Sequence, residues 1–339
     1  MDTHLKLYTK QTISHLFYSQ TGEKKFGDTM QFFTTEKPWD TQLAEMDCRY
    51  VIFGVPEDVG VRANRGRPGA DTAWQAVLKT MLNMQHNQFN NGSQLALLGH
   101  LGFADEIARA HITPQTDPKD LHDIISKIDE VLTAVVKRIV ELGKIPIVIG
   151  GGHNNAYGMI KGTSLGLGKP INSLNIDAHT DLRPTGYRHS GNGFLYAFEE
   201  DYLDKYFVFG LHENYTLQTN LNFAAAHNDR IKYNTFEDMR IRRTKKVMRE
   251  AENALAFVAE NNFGLEIDCD AIELVPSSAL TPSGFTPQMA RRLAYVFSRH
   301  KHASYLHICE ASPDPINLNE MIAVGKLLCY LVSDFIRVD

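Results

Sequence analysis

The stretch "INSLNIDAHTDLR", Ile171 to Arg183, begins as a buried strand and ends in charge. Asp177, His179 and Asp181 occupy alternate positions, so an extended backbone sets two carboxylates and an imidazole on one side. A charge at the end of a buried strand is costly unless it is paired or coordinates a cation. Whether a cation sits there depends on whether other strands end in the same way. Three do. "PIVIGGGHNNAYG" leads into His153, "FGLEIDCD" supplies Asp268 and Asp270, and "YLHICEASP" carries Glu310.

The chain around these stretches is regular from Cys48 onward. Apolar runs such as "CRYVIFGVP", "SQLALLGHLG", "KIPIVIGGG", "KYFVFGL" and "SYLHICE" read as strands. Between them lie segments of helical period, among them "TAWQAVLKTMLNM", "DLHDIISKIDEVLTAVVKRIVELG" and "PQMARRLAYVFSRH". Alternating elements with continuously apolar strands predict an α/β fold: three layers, α/β/α, around a mostly parallel sheet. Residues 47–339 read as one catalytic domain. The first 46 residues are irregular and read as an extension packed on the body or on a neighbouring subunit. "GTSLGLGKP" lacks the spacing of a phosphate-binding loop and runs into a strand.

A formal charge of −5 with no basic stripe argues against a nucleic-acid partner. The start lacks the apolar core of a signal peptide, and no apolar run is long enough to span a membrane. Cys48, Cys269, Cys309 and Cys329 are scattered without CxxC spacing and read as buried thiols of a reducing compartment, hence a cytoplasmic protein.

A strand-end Asp usually caps a helix or bonds a loop, and three glycines before His153 suit a tight turn. The combination says more. Parallel sheets collect ligands beyond the carboxyl ends of their strands, and two His with four Asp there would repel strongly without a cation. Six side chains are too many for one tetrahedral ion and suit a two-metal centre with bridging carboxylates. Ligation rich in oxygen and free of cysteine favours Mn²⁺ over structural Zn²⁺. Cys269, between Asp268 and Asp270, alternates to the opposite face and reads as packing.

"GGGHNNAYG", "NIDAHTDLR" and "EIDCDAIE" resemble, in order, the three metal motifs of the arginase/agmatinase (ureohydrolase) superfamily. The resemblance implies two Mn²⁺ ions per chain. His153 and Asp181, with Asp177 and Asp268 as bridging ligands, would hold one; His179 and Asp270, with the same bridging pair, would hold the other. The superfamily's usual GGDHS is GGGHN here, Glu273 stands for a supporting Asp, and a proline after it is missing. "EDVGVRANRGRPGA", Glu57 to Ala70, resembles the signature of the formimidoylglutamase subgroup, as do "DLR" after DAHTD and "RHSGNGFLYAF". Phe194 occupies the position of the arginases' shuttle histidine.

This subgroup implies hydrolysis of N-formimidoyl-L-glutamate, a small amidine, to L-glutamate and formamide by a metal-bridging hydroxide. Glu310 matches the family's amidinium-orienting Glu. Asp181 would relay a proton, with His189, or less readily His212, exchanging it with solvent. Arg62, Arg65, Arg67, Arg183 and Arg188 cluster in the loops expected to meet the substrate's carboxylates, and at least two of the five should be structural. Asn64, Arg65, Arg183, Ser190 and Asn192 are the expected substrate contacts. Family members are commonly oligomers, so a homo-oligomer is implied. The competing expectations are another ureohydrolase specificity (arginase, guanidinobutyrase or agmatinase), a metal-dependent deacetylase, and a silent arginase-like assembly protein.

Overall fold

Runs such as YVIFG and IPIVI are apolar at every position because both of their faces are covered. In a computed structural model, which describes residues 4–113 and 118–337, ten strands form one sheet: β1 (Leu5–Leu7), β2 (Gln31–Phe32), β3 (Tyr50–Gly54), β4 (Leu95–Leu101), β5 (Ile145–Ile149), β6 (Ile171–Ile176), β7 (Leu203–Leu211), β8 (Ile231–Thr235), β9 (Phe263–Asp268) and β10 (Ala303–Cys309). Residues 1–3 of the expected extension and 338–339 of the expected domain lie outside the described residues. The order is β1-β4-β3-β5-β10-β9-β6-β7-β8, with β2 also on β4. Every pairing is parallel except β1 with β4.

Alternation divides the core into two layers. Ile147 and Ile149 pack under helices Ala73–Leu82, Val247–Val258, Pro287–Ser298 and Leu318–Ile336. Val148 points the other way, toward Pro118–Glu141, Asn155–Leu167, Gly193–Glu199 and Gln218–Ala226. The three-layer α/β/α fold expected from the sequence is the fold observed.

Helix Asn155–Leu167 lies close against Pro118–Glu141. A Cβ on Gly158, Gly162 or Gly166 would come within 2.9 Å of Leu132, Val136 or Val140. These glycines, spaced four apart, make one smooth helix face. Most of the glycine in "GTSLGLGKP" therefore serves packing. Cys269 is buried in the core, also as expected.

The N-terminal segment joins the sheet. β1 runs antiparallel along Gly99–Leu101 of β4, and β2 lies parallel to Ala96–Leu97. Strands of three and two residues carry no readable periodicity, so the sequence showed only irregular chain there. The central four strands, β5-β10-β9-β6, are the ones whose ends bear the unusual charges, and the sheet order makes those ends neighbours.

Candidate active site

Each strand end turns sharply to present its side chain. After β5, Gly150 and Gly151 adopt φ of 92° and 77°. A Cβ at Gly151 would meet the Glu57 carboxylate at 2.7 Å, so glycine is required for both conformation and space. The Glu57 carboxylate, fully buried, accepts N–H bonds from Gly152 (3.0 Å), Val59 (2.8 Å) and the side chains of Asn154 (3.2 Å) and Asn155 (2.7 Å). It ties down the turn that carries His153, while burial pushes its own pKa up to about 7.

After β6, Asp177 accepts the His179 N–H at 2.7 Å on one oxygen and the Asn175 amide at 2.8 Å on the other. Asp181 follows with φ of 49°. After β9, Asp268 accepts the Asp270 N–H at 2.7 Å, and Asp270 accepts Ala279 N–H at 2.9 Å and Ser278 Oγ–H at 3.1 Å. After β10, Glu310 sits at φ 62° and takes the His153 N–H at 2.6 Å on Oε1. A Glu and an Asp held in the left-handed region mark a strained site that its surroundings over-determine.

All six expected metal ligands converge. His153 Nδ1 lies 2.9 Å from Asp181, 3.1 Å from Asp268 and 3.2 Å from Asp177, yet has hydrogen-bond geometry with none of them. Asp268 shares a second group with His179 and Asp270, its ligand atoms within 4.8 Å of one another. The second oxygen of Asp177 lies 3.5 Å from His179 Nδ1. Asp177 and Asp268 thus each face both imidazoles.

The charges here are unbalanced. Burial, then the neighbouring Asp177, raises the pKa of Asp181; burial, then Asp270 and Asp177, raises that of Asp268 well above the ordinary range. Burial opposes a charge on His179, but Asp177 and Asp270 outweigh it and lift that imidazole to about 10. Among the described residues no Lys or Arg pairs with the four aspartates. An orphaned buried nitrogen aimed at three crowded carboxylates fits a pair of divalent cations held by oxygen-rich ligands.

A cleft of about 200 Å³ opens over this cluster. His179, Asp181, Asp268, Asp270 and Glu310 line its floor, with Asn64, Arg183, Ser190, Tyr215 and Leu217 above. Asn64 Nδ2 donates to Ser190 Oγ at 3.1 Å across the rim.

The arginase family profile matches residues 48–332. This chain belongs to the arginase family. A formimidoylglutamase of Streptococcus pyogenes (serotype M5, strain Manfredo) is 28% identical over 91% of both chains. The fold is shared with Trypanosoma cruzi formiminoglutamase with Mn²⁺ (TM-score 0.72, 19% identity, covering 93% of this chain and 100% of that one) and with formimidoylglutamase from Bacillus subtilis (TM-score 0.72, 16% identity, 94% of each). It is also shared with the proclavaminate amidino hydrolase of Streptomyces clavuligerus (TM-score 0.64, 17% identity, 85% and 92% covered).

Several rim residues of this arginase-family hydrolase differ in placement from the sequence expectation. Arg188 is buried, in a two-pronged pair with Asp129 (2.8 and 3.1 Å), and stacks over the rings of Tyr157 and Tyr196. Arg62 pairs with Asp58 at 2.9 Å. These two of the five arginines are structural. Asn192 does not line the cleft: its oxygen accepts from Arg188 and from the His189 N–H, and its amide donates to the Tyr187 carbonyl. His189 is likewise turned into its own loop, where Nδ1 accepts the Gly191 N–H at 3.1 Å. Burial, then Arg183 and Arg188, lowers its pKa to about 4, so it is neutral and committed near pH 7. Arg65 is exposed at a loop tip with φ of 61° and is absent from the cleft wall. Arg67 and His212 line the adjoining recess with His179 and Asp270, and His212 Nε2 is buried without a partner. Sequence reasoning passed over Glu57 as part of a motif. A carboxylate directly after the apolar run of β3 was the available signal.

Proposed function

We propose that this arginase-family enzyme binds two Mn²⁺ ions and hydrolyses the amidine of N-formimidoyl-L-glutamate, releasing L-glutamate and formamide. The observation that carries the proposal is a polarity across the cleft. At the floor, Glu310 Oε2 is buried with no hydrogen-bond partner among the described residues, beside Asp181, Asp268 and Asp270. At the rim, Arg183 is exposed, and no carboxylate pairs with it among the described residues. A substrate with a cationic amidine at one end and carboxylates at the other matches both. Agmatine, cationic at both ends, would meet Arg183 with like charge.

Two divalent ions in the cluster would acidify a water held between them and offset the carboxylate charge. The chain's own groups do the positioning. Glu310 Oε2 accepts an amidinium N–H and holds the formimidoyl carbon over the floor, which requires its carboxylate form. Without cations, burial and then Asp270 push its pKa up to about 8, so cation binding and ionisation of Glu310 reinforce each other. Water adds through its oxygen to the formimidoyl carbon as Asp181 takes its proton; the bond from that carbon to the glutamate nitrogen then breaks, and Asp181 passes that proton to the departing amine. Exchange with solvent goes through His212 rather than His189, since His212 lines the recess beside the floor. Asn64, Ser190, Arg183 and Arg67 meet the glutamate moiety. Four buried free thiols suit a reducing, cytoplasmic setting.

The test is reconstitution with Mn²⁺ followed by turnover of formimidoylglutamate, arginine, agmatine and guanidinobutyrate side by side. Formimidoylglutamate should give the highest kcat/KM. Faster hydrolysis of arginine or agmatine would overturn the specificity while leaving the dinuclear hydrolase standing.

A further inference from the structure

His153 has two ring nitrogens, and only Nδ1 is accounted for by the aspartate cluster. Nε2 is also buried without a hydrogen-bond partner, and it lies 3.5 Å from Oε2 of Glu266. Glu266 is a carboxylate in the middle of a parallel sheet, with no solvent exposure. Its Oε1 accepts the Tyr305 hydroxyl at 2.6 Å, and its Oε2 accepts His307 Nδ1 at 2.6 Å. The strands are registered for this arrangement. Glu266 on β9 stands beside His307 on β10, and Gly264 leaves the space that the Tyr305 ring fills, since a Cβ there would sit 1.9 Å from that ring.

Such a group needs a reason. An acid buried in a sheet costs several kcal/mol before its partners are counted, and an apolar residue at this position would pack more cheaply. The result is a carboxylate held beside the far side of a candidate ligand imidazole. Two short bonds to Tyr305 and His307 keep it from turning away.

We propose that Glu266 is a positioning residue for the metal centre. Its carboxylate selects the tautomer of His153 that carries hydrogen on Nε2, leaving the Nδ1 lone pair facing Asp177, Asp181 and Asp268. A carboxylate behind a ligating histidine orients the ring and raises its basicity, and loss of such a partner costs about 10- to 100-fold in metal affinity. The inference rests on the dinuclear reading above. It adds that the two ions depend unequally on the core, because among the described residues no carboxylate pairs with His179 Nε2, and its ring is part-exposed at the cleft floor.

The experiment titrates metal-free wild type and Glu266→Gln with Mn²⁺ while following free Mn²⁺ by electron paramagnetic resonance. Wild type should bind two ions. Glu266→Gln should bind one ion about 10- to 100-fold more weakly and the other nearly as before. A purely structural role would weaken both together. If Glu266→Gln does not fold, Glu266→Asp keeps the charge but shortens its reach, and the same split is expected. Unchanged affinity at both sites, or equal weakening of both, in the variant that folds overturns the proposal. Wild type that binds no ion would instead sink the dinuclear reading. A third tight ion would place a cation among His153, His307 and Cys309, and Glu266 would then serve that ion.

Discussion

His153, Asp177, Asp268 and Glu310 stand at the ends of four neighbouring strands, whereas Asn64, Arg183 and Ser190 stand on connecting segments, at a helix end, in a loop and at the start of a short helical turn. The floor residues are over-determined. Asp177, Asp268 and Glu310 each commit an oxygen to a backbone N–H, and the register of β6, β9 and β10 sets their spacing. Across the cleft, the rim is joined by a side-chain hydrogen bond from Asn64 to Ser190. Chemistry is therefore built into the sheet, and selectivity is hung on segments that can change without disturbing it. Arg183 and Arg188 repeat the contrast within one loop: one is exposed at the cleft, the other buried in aromatic rings.

The contrast can be broken at its strongest point first. Asp268→Ala should lose both metal ions and lower kcat/KM by about a thousandfold or more, because that carboxylate faces both imidazoles. Elemental analysis finding two ions in this variant would mean that Asp268 bridges nothing. Next in size is Arg188→Met, which leaves Asp129 charged and buried without its partner and should destabilise the fold by about 3–5 kcal/mol. Arg183→Met should leave the melting temperature within error and instead raise KM by about tenfold, since an exposed contact carries less than a buried one. Paired melting and kinetic measurements on the two variants decide whether the loop is divided in this way.

The smallest effect is a pH dependence. The folded-state pKa of His189 lies below its unfolded value of 6.5, at about 4. Its stabilisation is therefore fully present above pH 6.5 and is lost as pH falls through 4. His189→Ala should be less stable than wild type by about 1 kcal/mol at pH 7, for the lost Gly191 bond. Denaturant titrations should show the gap closing and then reversing as pH falls from 6.5 toward 4; a gap constant with pH would mean that the imidazole does not titrate in this window.

The layers, the parallel sheet and the convergence of the six expected ligand side chains were legible because they follow from period and position: apolar runs with a charge at the end. Three things were not. Direction in a loop leaves no period, so His189 and Asn192 looked like cleft residues although their side chains close their own turn. Long-range pairing is equally silent; nothing in "RHSGNG" announces Asp129, some sixty positions earlier in the chain. Buried acids inside strands hide among their neighbours, and Glu266 in "FGLEID" reads as one odd letter until β10 is laid beside it.

The short N-terminal strands have a consequence for the molecule's life in concentrated solution. β4 is a seven-residue apolar strand, LALLGHL, with β3 on one side and β1 and β2 on the other. Clip residues 4–32 away, and its free backbone groups become a template on which another chain can crystallise itself as an added strand. The far edge needs no such guard, since β8 carries an exposed lysine, Lys232. A protease nicking the N-terminal segment would then leave the catalytic floor intact and remove the protein by turning it into aggregate.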